Sequence, residues 1–235
     1  MKSVLRIGFL FAIGAAALTA CSTPLFAQGR GGGGMRGMGG YSRAQLASLK
    51  EVQAELKLTD DQKKLTTEVM TKLAADRAEA RQSAGQDFAA MQEKNAKLTA
   101  EADAKVAEKL DDAQKKRLME IFVQKNPIGN ALADAEVQKA LGLNEEAVKK
   151  IAEARTANRE AMMAAFQELG QDATPEERAS KMETLTKTAN EKLFSAISAD
   201  QKAAFEKLGG AKLDVDTTPL QPQRRGGPGA GRGGN

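Results

Sequence analysis

The side chains that most often do chemistry are nearly absent from this chain. Its 235 residues include no histidine and no tryptophan, one cysteine (Cys21) and one tyrosine (Tyr41). Without histidine or a usable thiol there is no Ser-His or Cys-His pair for nucleophilic catalysis. Zinc and copper sites of ordinary type lose their ligands for the same reason. Met162, Met163 and Met182 could be soft-metal ligands, but methionines at helical spacing ordinarily fill cores. Asp60-Asp61 and Asp111-Asp112 are paired acids only in sequence: neighbours on a helix point apart, and acids at a helix start ordinarily partner the helix dipole. The glycine tracts lack the strand-to-helix context of a phosphate loop. The chain reads as a non-enzyme, with no cofactor and no metal.

Anything functional must then sit on a helical scaffold, and that scaffold is used twice. A run E-V-Q-x-x-L-x-L occurs as Glu51-Val52-Gln53…Leu56…Leu58 and again, 85 residues on, as Glu136-Val137-Gln138…Leu141…Leu143. At the same offset Gly85-Gln86-Asp87 matches Gly170-Gln171-Asp172; further on, after two inserted residues, Gln114-Lys115 matches Gln201-Lys202. A fixed offset with one small insertion marks tandem duplication.

The segments between Ser42 and Gly209 read as helix, rich in Ala, Glu, Lys, Gln and Leu. Leu46, Leu49, Val52 and Leu56 share one face of a first helix; Leu65, Val69 and Leu73 do so in a second. Ser42…Gln45, Thr59…Gln62, Thr174…Glu177 and Ser198…Gln201 spell capping boxes, with Asp111…Gln114 and Asn144 as weaker versions. Gly142, Gly170 and Gly209 are candidate stops. Each copy is predicted to be a short helix, a long helix, a turn, a return helix and a last short helix, the long pair forming an antiparallel, coiled-coil-like αα-hairpin. The fold expected is all-α: two tandem helical-hairpin repeats, 43–126 and 127–210, in an elongated body. Leu, Ile, Val and Phe make up only 31 of the 168 residues from 43 to 210, so the core is thin and a deep pocket is not expected.

The ends are of a different kind. Lys2 and Arg6 precede an uncharged stretch from Ile7 to Ala20, the length of a signal-peptide core and short for a membrane span. Leu18-Thr19-Ala20-Cys21 resembles a lipobox, giving a signal at 1–20 and a lipidated Cys21; cleavage after Leu25-Phe26-Ala27 gives a signal at 1–27 and a free protein. Both export the chain, so a periplasmic location is expected, soluble or lipid-anchored. Residues 21–42, with the tract GRGGGGMRGMGG at 29–40, read as a flexible linker, and 211–235, ending RRGGPGAGRGGN, as a disordered Arg/Gly-rich tail. The excess positive charge sits at these ends, at Lys2, Arg6, Arg30, Arg36, Arg224, Arg225 and Arg232, while the helical body is close to neutral. Nucleic-acid binding is therefore disfavoured.

Leu58-Thr59-Asp60-Asp61-Gln62 spells L-T-x-x-Q, and the three other helix starts at the ends of the copies vary it: Leu110-Asp111…Gln114, Leu143-Asn144…Ala147 and Ile197-Ser198…Gln201. In this the chain resembles the periplasmic Spy/CpxP-type family of small exported all-helical proteins, which carry such a motif in pairs. The resemblance implies an envelope-stress protein: an ATP-independent chaperone for unfolded or envelope proteins, or a modulator that binds a membrane sensor domain. Phe88, Met91, Phe122, Met162, Met163, Phe166 and Phe194 are the candidate client contacts. The alternative is a non-catalytic spacer or scaffold lipoprotein tethered through Cys21. Association as a homodimer stays open.

Overall fold

The computed structural model describes residues 40–84, 87–170 and 173–220, apart from the side chains of Ala84, Phe88 and Ala89. Cys21, both candidate cleavage sites, most of the first glycine tract and residues 221–235 lie outside the described residues.

All regular structure among the described residues is helical. The first half runs α1 (Arg43–Ala47), α2 (Lys50–Glu55), α3 (Asp60–Ala84), α4 (Phe88–Glu108) and α5 (Asp112–Lys125). The second runs α6 (Ile128–Leu132), α7 (Ala135–Ala140), α8 (Glu145–Leu169), α9 (Pro175–Ser195) and α10 (Ala199–Leu208), followed by a 3-10 turn at Thr218–Leu220. Lengths follow the order 5, 6, 25, 21 and 14 residues, then 5, 6, 25, 21 and 10. No described helix is long and apolar enough to cross a membrane.

Helix boundaries follow local chemistry. Ser42, Asp111, Thr174 and Ser198 each close a reciprocal capping box, and Thr59 with Gln62 makes the same exchange at 2.9 and 3.3 Å. Asp111, read as a weaker cap, is thus a complete one. Asn144 caps α8 through its side chain alone, because Ala147 stands where the reciprocating glutamine would be.

The repeated E-V-Q-x-x-L-x-L is a six-residue helix closed by a Schellman motif. Lys57 N–H donates to Ala54 O at 3.1 Å and Leu58 N–H to Gln53 O at 3.0 Å; Gly142 and Leu143 repeat this onto Lys139 and Gln138 at 3.1 and 3.0 Å. The closing residue is left-handed in both copies, φ 50° at Lys57 and 58° at Gly142.

Two expectations need correction. The single first helix breaks in two: the Ser48 hydroxyl takes the Gln45 carbonyl at 2.6 Å and Leu49 turns extended at ψ 138°, a serine competing with the helix for its own carbonyls. Leu46, Leu49, Val52 and Leu56 are all buried nonetheless. The boundaries of linker and tail also move outward, toward the chain ends. Ser42 is buried at the α1 cap, and Val215, assigned to the tail, lies in the core with Leu213 and Leu220 packed against it. Alternating aliphatic residues in 211–220 outweigh the polar composition around them.

α3 packs along α4 and α8 along α9. Below these hairpins Leu46, Leu118, Ile121, Leu132, Val137 and Ile151 form one core shared by both halves, each contributing about 1.5–3 kcal/mol by burial. Arg43 of α1 locks the junction. It donates to both oxygens of Asp134, the N-cap of α7, at 2.9 and 2.6 Å, lies 3.2 Å from Glu136, and stacks 4.7 Å from the Phe122 ring centroid. With its side chain only 11% exposed, this bidentate pair is far less screened than a surface ion pair.

Candidate functional site

The motif residues cluster where the helix ends of the first half meet. Leu58 and Leu110 are buried, which brings the starts of α3 and α5 side by side. Gln62 and Gln114 then meet amide to amide, with Nε2-to-Oε1 distances of 2.9 and 3.2 Å. Each Oε1 also accepts the cap N–H of its own helix, from Thr59 at 2.9 Å and Asp111 at 3.0 Å. Each Nε2 also donates to the last carbonyl of the helix preceding the other, Lys109 O at 2.8 Å and Leu56 O at 3.1 Å. Two orphan helix C-termini and two N-termini are satisfied by one glutamine pair.

In the second half Leu143 and Ile197 are half-buried and Ser198 caps α10. Gln201 donates to Gly142 O at 3.3 Å. Ala147, with its N–H on Asn144 Oδ1 at 2.8 Å, offers no second amide. The motif residues therefore position helices.

The candidate client contacts scatter. Phe122 is 7% exposed beneath Arg43, so it is a core residue and cannot meet a client. Phe194 is half-buried, edge to face with Phe205 at 5.9 Å and capped by the Lys202 ammonium at 4.9 Å. The Phe88 side chain lies outside the described residues, and Met91 is half-buried on α4. Met162, Met163 and Phe166 do come together, on the distal part of α8. Met162 and Phe166 are half-buried on α8, which packs along α9, where Met182 and Leu185 are also half-buried; Met163 is 43% exposed. Among the described residues at this end only the small Ala165 is buried, so the hairpin leaves its larger apolar side chains partly uncovered.

The first hairpin carries a shallow groove of about 150 Å³ between α3 and α4, floored by Leu65, Val69, Leu73, Leu98 and Ala102 and rimmed by Glu68, Lys72, Asp76, Glu101 and Lys105. A polar cleft of about 360 Å³ lies beside the glutamine pair, lined in part by Glu55, Lys57 and Arg117, where Arg117 is already paired with Glu55 and Glu120 at 2.7 Å each. Burial, reinforced by a neighbouring arginine, lowers the pKa of Arg77 and of Arg155 from the ordinary value. Asp60 and Asp61 stand exposed in the first turn of α3, Asp60 with Lys63 at 3.1 Å. Among the described residues no group of three or more His, Cys, Asp or Glu side chains is placed to hold a metal.

Sequence reading missed the polar contacts that join the halves, Arg43 with Asp134 and Gln124 with Gly209 and Ala211, and also Asn126 at the end of α5, which holds Tyr41 within the first half. Asn126 bonds Tyr41 and Gln124 bonds Gly209 across 85 positions each, contacts that no local spacing marks.

Compared with protein-family models, with curated proteins and with solved structures, the chain matches none of them.

Proposed function

We propose that the chain is an exported, non-catalytic helical binding protein of the cell envelope, a Spy/CpxP-type chaperone or stress modulator that engages protein clients or a sensor without ATP. One observation carries this: Met162, Met163 and Phe166 lie together on the distal part of α8, over a seam whose larger side chains are partly uncovered. Methionine-rich surfaces repack around varied partners, and helices without histidine or a usable thiol suit capture better than conversion. The test is suppression of aggregation of an unfolding client. Suppression should weaken in the chain carrying Met162→Ser, Met163→Ser and Phe166→Ser together; no suppression by the parent at stoichiometric excess rejects the chaperone form.

A second reading, an envelope spacer or scaffold lipoprotein anchored at Cys21, is favoured by a different observation. Met163 is the one large apolar side chain that is well exposed among the described residues, whereas protein-binding patches commonly run to a few hundred Å². Intact mass of the mature N-terminus separates the two: a lipidated Cys21 with one fixed cross-linked partner supports the spacer.

A further inference from the structure

The end of α5 grips main chain with two side-chain amides. Asn126 accepts Tyr41 N–H at 2.7 Å and donates to Tyr41 O at 3.1 Å. Gln124 Nε2 donates to the carbonyls of Gly209 and Ala211, and its Oε1 accepts Leu213 N–H at 2.9 Å. From Ala211 to Thr217 the chain forms no helix or strand, and its side chains alternate. Val215 is buried, Leu213 and Thr217 are half-buried, and Lys212, Asp214 and Asp216 face solvent. The Tyr41 hydroxyl meets Thr217 Oγ1 at 3.1 Å. Fixed groups reading the backbone, with alternate side chains entering an apolar trough, is how proteins recognise extended peptides.

We propose that this trough is a peptide-binding site occupied in cis by 211–217, and that release of this strap admits an extended segment of an unfolded protein with aliphatic residues at alternate positions. The strap leaves α10 through Gly209 and Gly210, and Gly210 holds φ 61° where a Cβ would strike the Glu120 carboxylate. Gln124 requires a free backbone N–H and free carbonyls, which helices and sheets of folded proteins already use and unfolded segments offer. The seated strap shows the pattern that fits: Leu-x-Val-x-Thr. The unfolded-client half of this proposal rests on the binding function above; the trough and its strap do not.

The experiment uses a fluorescent peptide with the sequence of residues 211–220, read by anisotropy against the parent chain, a chain ending at Leu220 and a chain ending at Gly210. The chain ending at Gly210 should bind saturably and the other two at least about tenfold more weakly, as a self-occupied site requires. A peptide carrying Val215→Asp should not bind, and unfolded casein should displace the parent peptide. Equal binding by all three chains, or none by a helical chain ending at Gly210, overturns the trough. Should that truncation lose its helical circular dichroism, full-length Val215→Ser serves instead: it should bind the peptide more tightly than the parent, and equal binding overturns the proposal. Peptide binding that casein cannot displace overturns the client half alone. Failure of aggregation suppression with casein displacement intact rejects the α8 surface and leaves the trough standing.

Discussion

Gln62 and Gln114, 52 positions apart in sequence, bind each other through their side-chain amides while each caps its own helix. Each amide thereby fills two acceptor and two donor positions, the full capacity of the group. The pair acts as a unit, so its members should be energetically coupled. Gln62→Ala and Gln114→Ala should each destabilise by about 1–2 kcal/mol, and the double variant should fall short of their sum by about 0.5–1 kcal/mol. Urea unfolding of the four chains measures this; additivity would mean that the two caps work independently.

The second half lacks the pair because Ala147 occupies the position equivalent to Gln62. Ala147→Gln would restore the capping box with Asn144 and give Gln201 a partner. A gain of up to about 1 kcal/mol is expected. Because Ala147 is 8% exposed, a loss larger than about 1 kcal/mol would show that the site has no room for the longer side chain.

Lys57 and Gly142 close equivalent helices with the same left-handed backbone, but only glycine adopts it without strain. Lys57→Gly should stabilise by about 0.5–1 kcal/mol. Gly142→Ala should destabilise by about 1 kcal/mol. A Cβ at 142 would meet nothing within 4 Å, so that loss is purely conformational. Thermal unfolding decides both; equal midpoints for Lys57→Gly and parent would mean the lysine side chain offsets the strain by its contacts.

Asp103 accepts the Ala44 N–H at 2.7 Å at the start of α1. Burial pushes its carboxyl above the ordinary value, against the opposing pull of its hydrogen bonds from Ala44, Ser42 and Arg43. A folded pKa above the unfolded one means that the folded state holds the proton more tightly. The charged form therefore opposes folding at neutral pH, and that penalty fades as pH falls through the folded pKa toward the unfolded value. Between about pH 7 and about pH 4 the parent should gain stability relative to Asp103→Asn. The opposite trend in paired denaturation curves would show that hydrogen bonding to the carboxylate outweighs its burial.

What the sequence determined by itself was the punctuation and the absences. Ser42, Thr59, Thr174 and Ser198 start helices where their spacing to Gln or Glu says they should, because a capping box spans four residues and needs no distant partner. The all-α class follows from such local signals, and the lack of histidine and of a pairable thiol is read directly from the composition. The tertiary structure alone decided what those residues do next. That Gln62 reaches Gln114, that Arg43 pairs with Asp134 over Phe122, and that Leu213 returns to bond Gln124 are contacts between segments from about 50 to 90 residues apart. Local spacing cannot specify them, because they depend on which helix ends the shared core brings together. Phe122 shows the difference most plainly: a candidate client contact in the sequence, it is covered in the fold by an arginine from the start of the helical body.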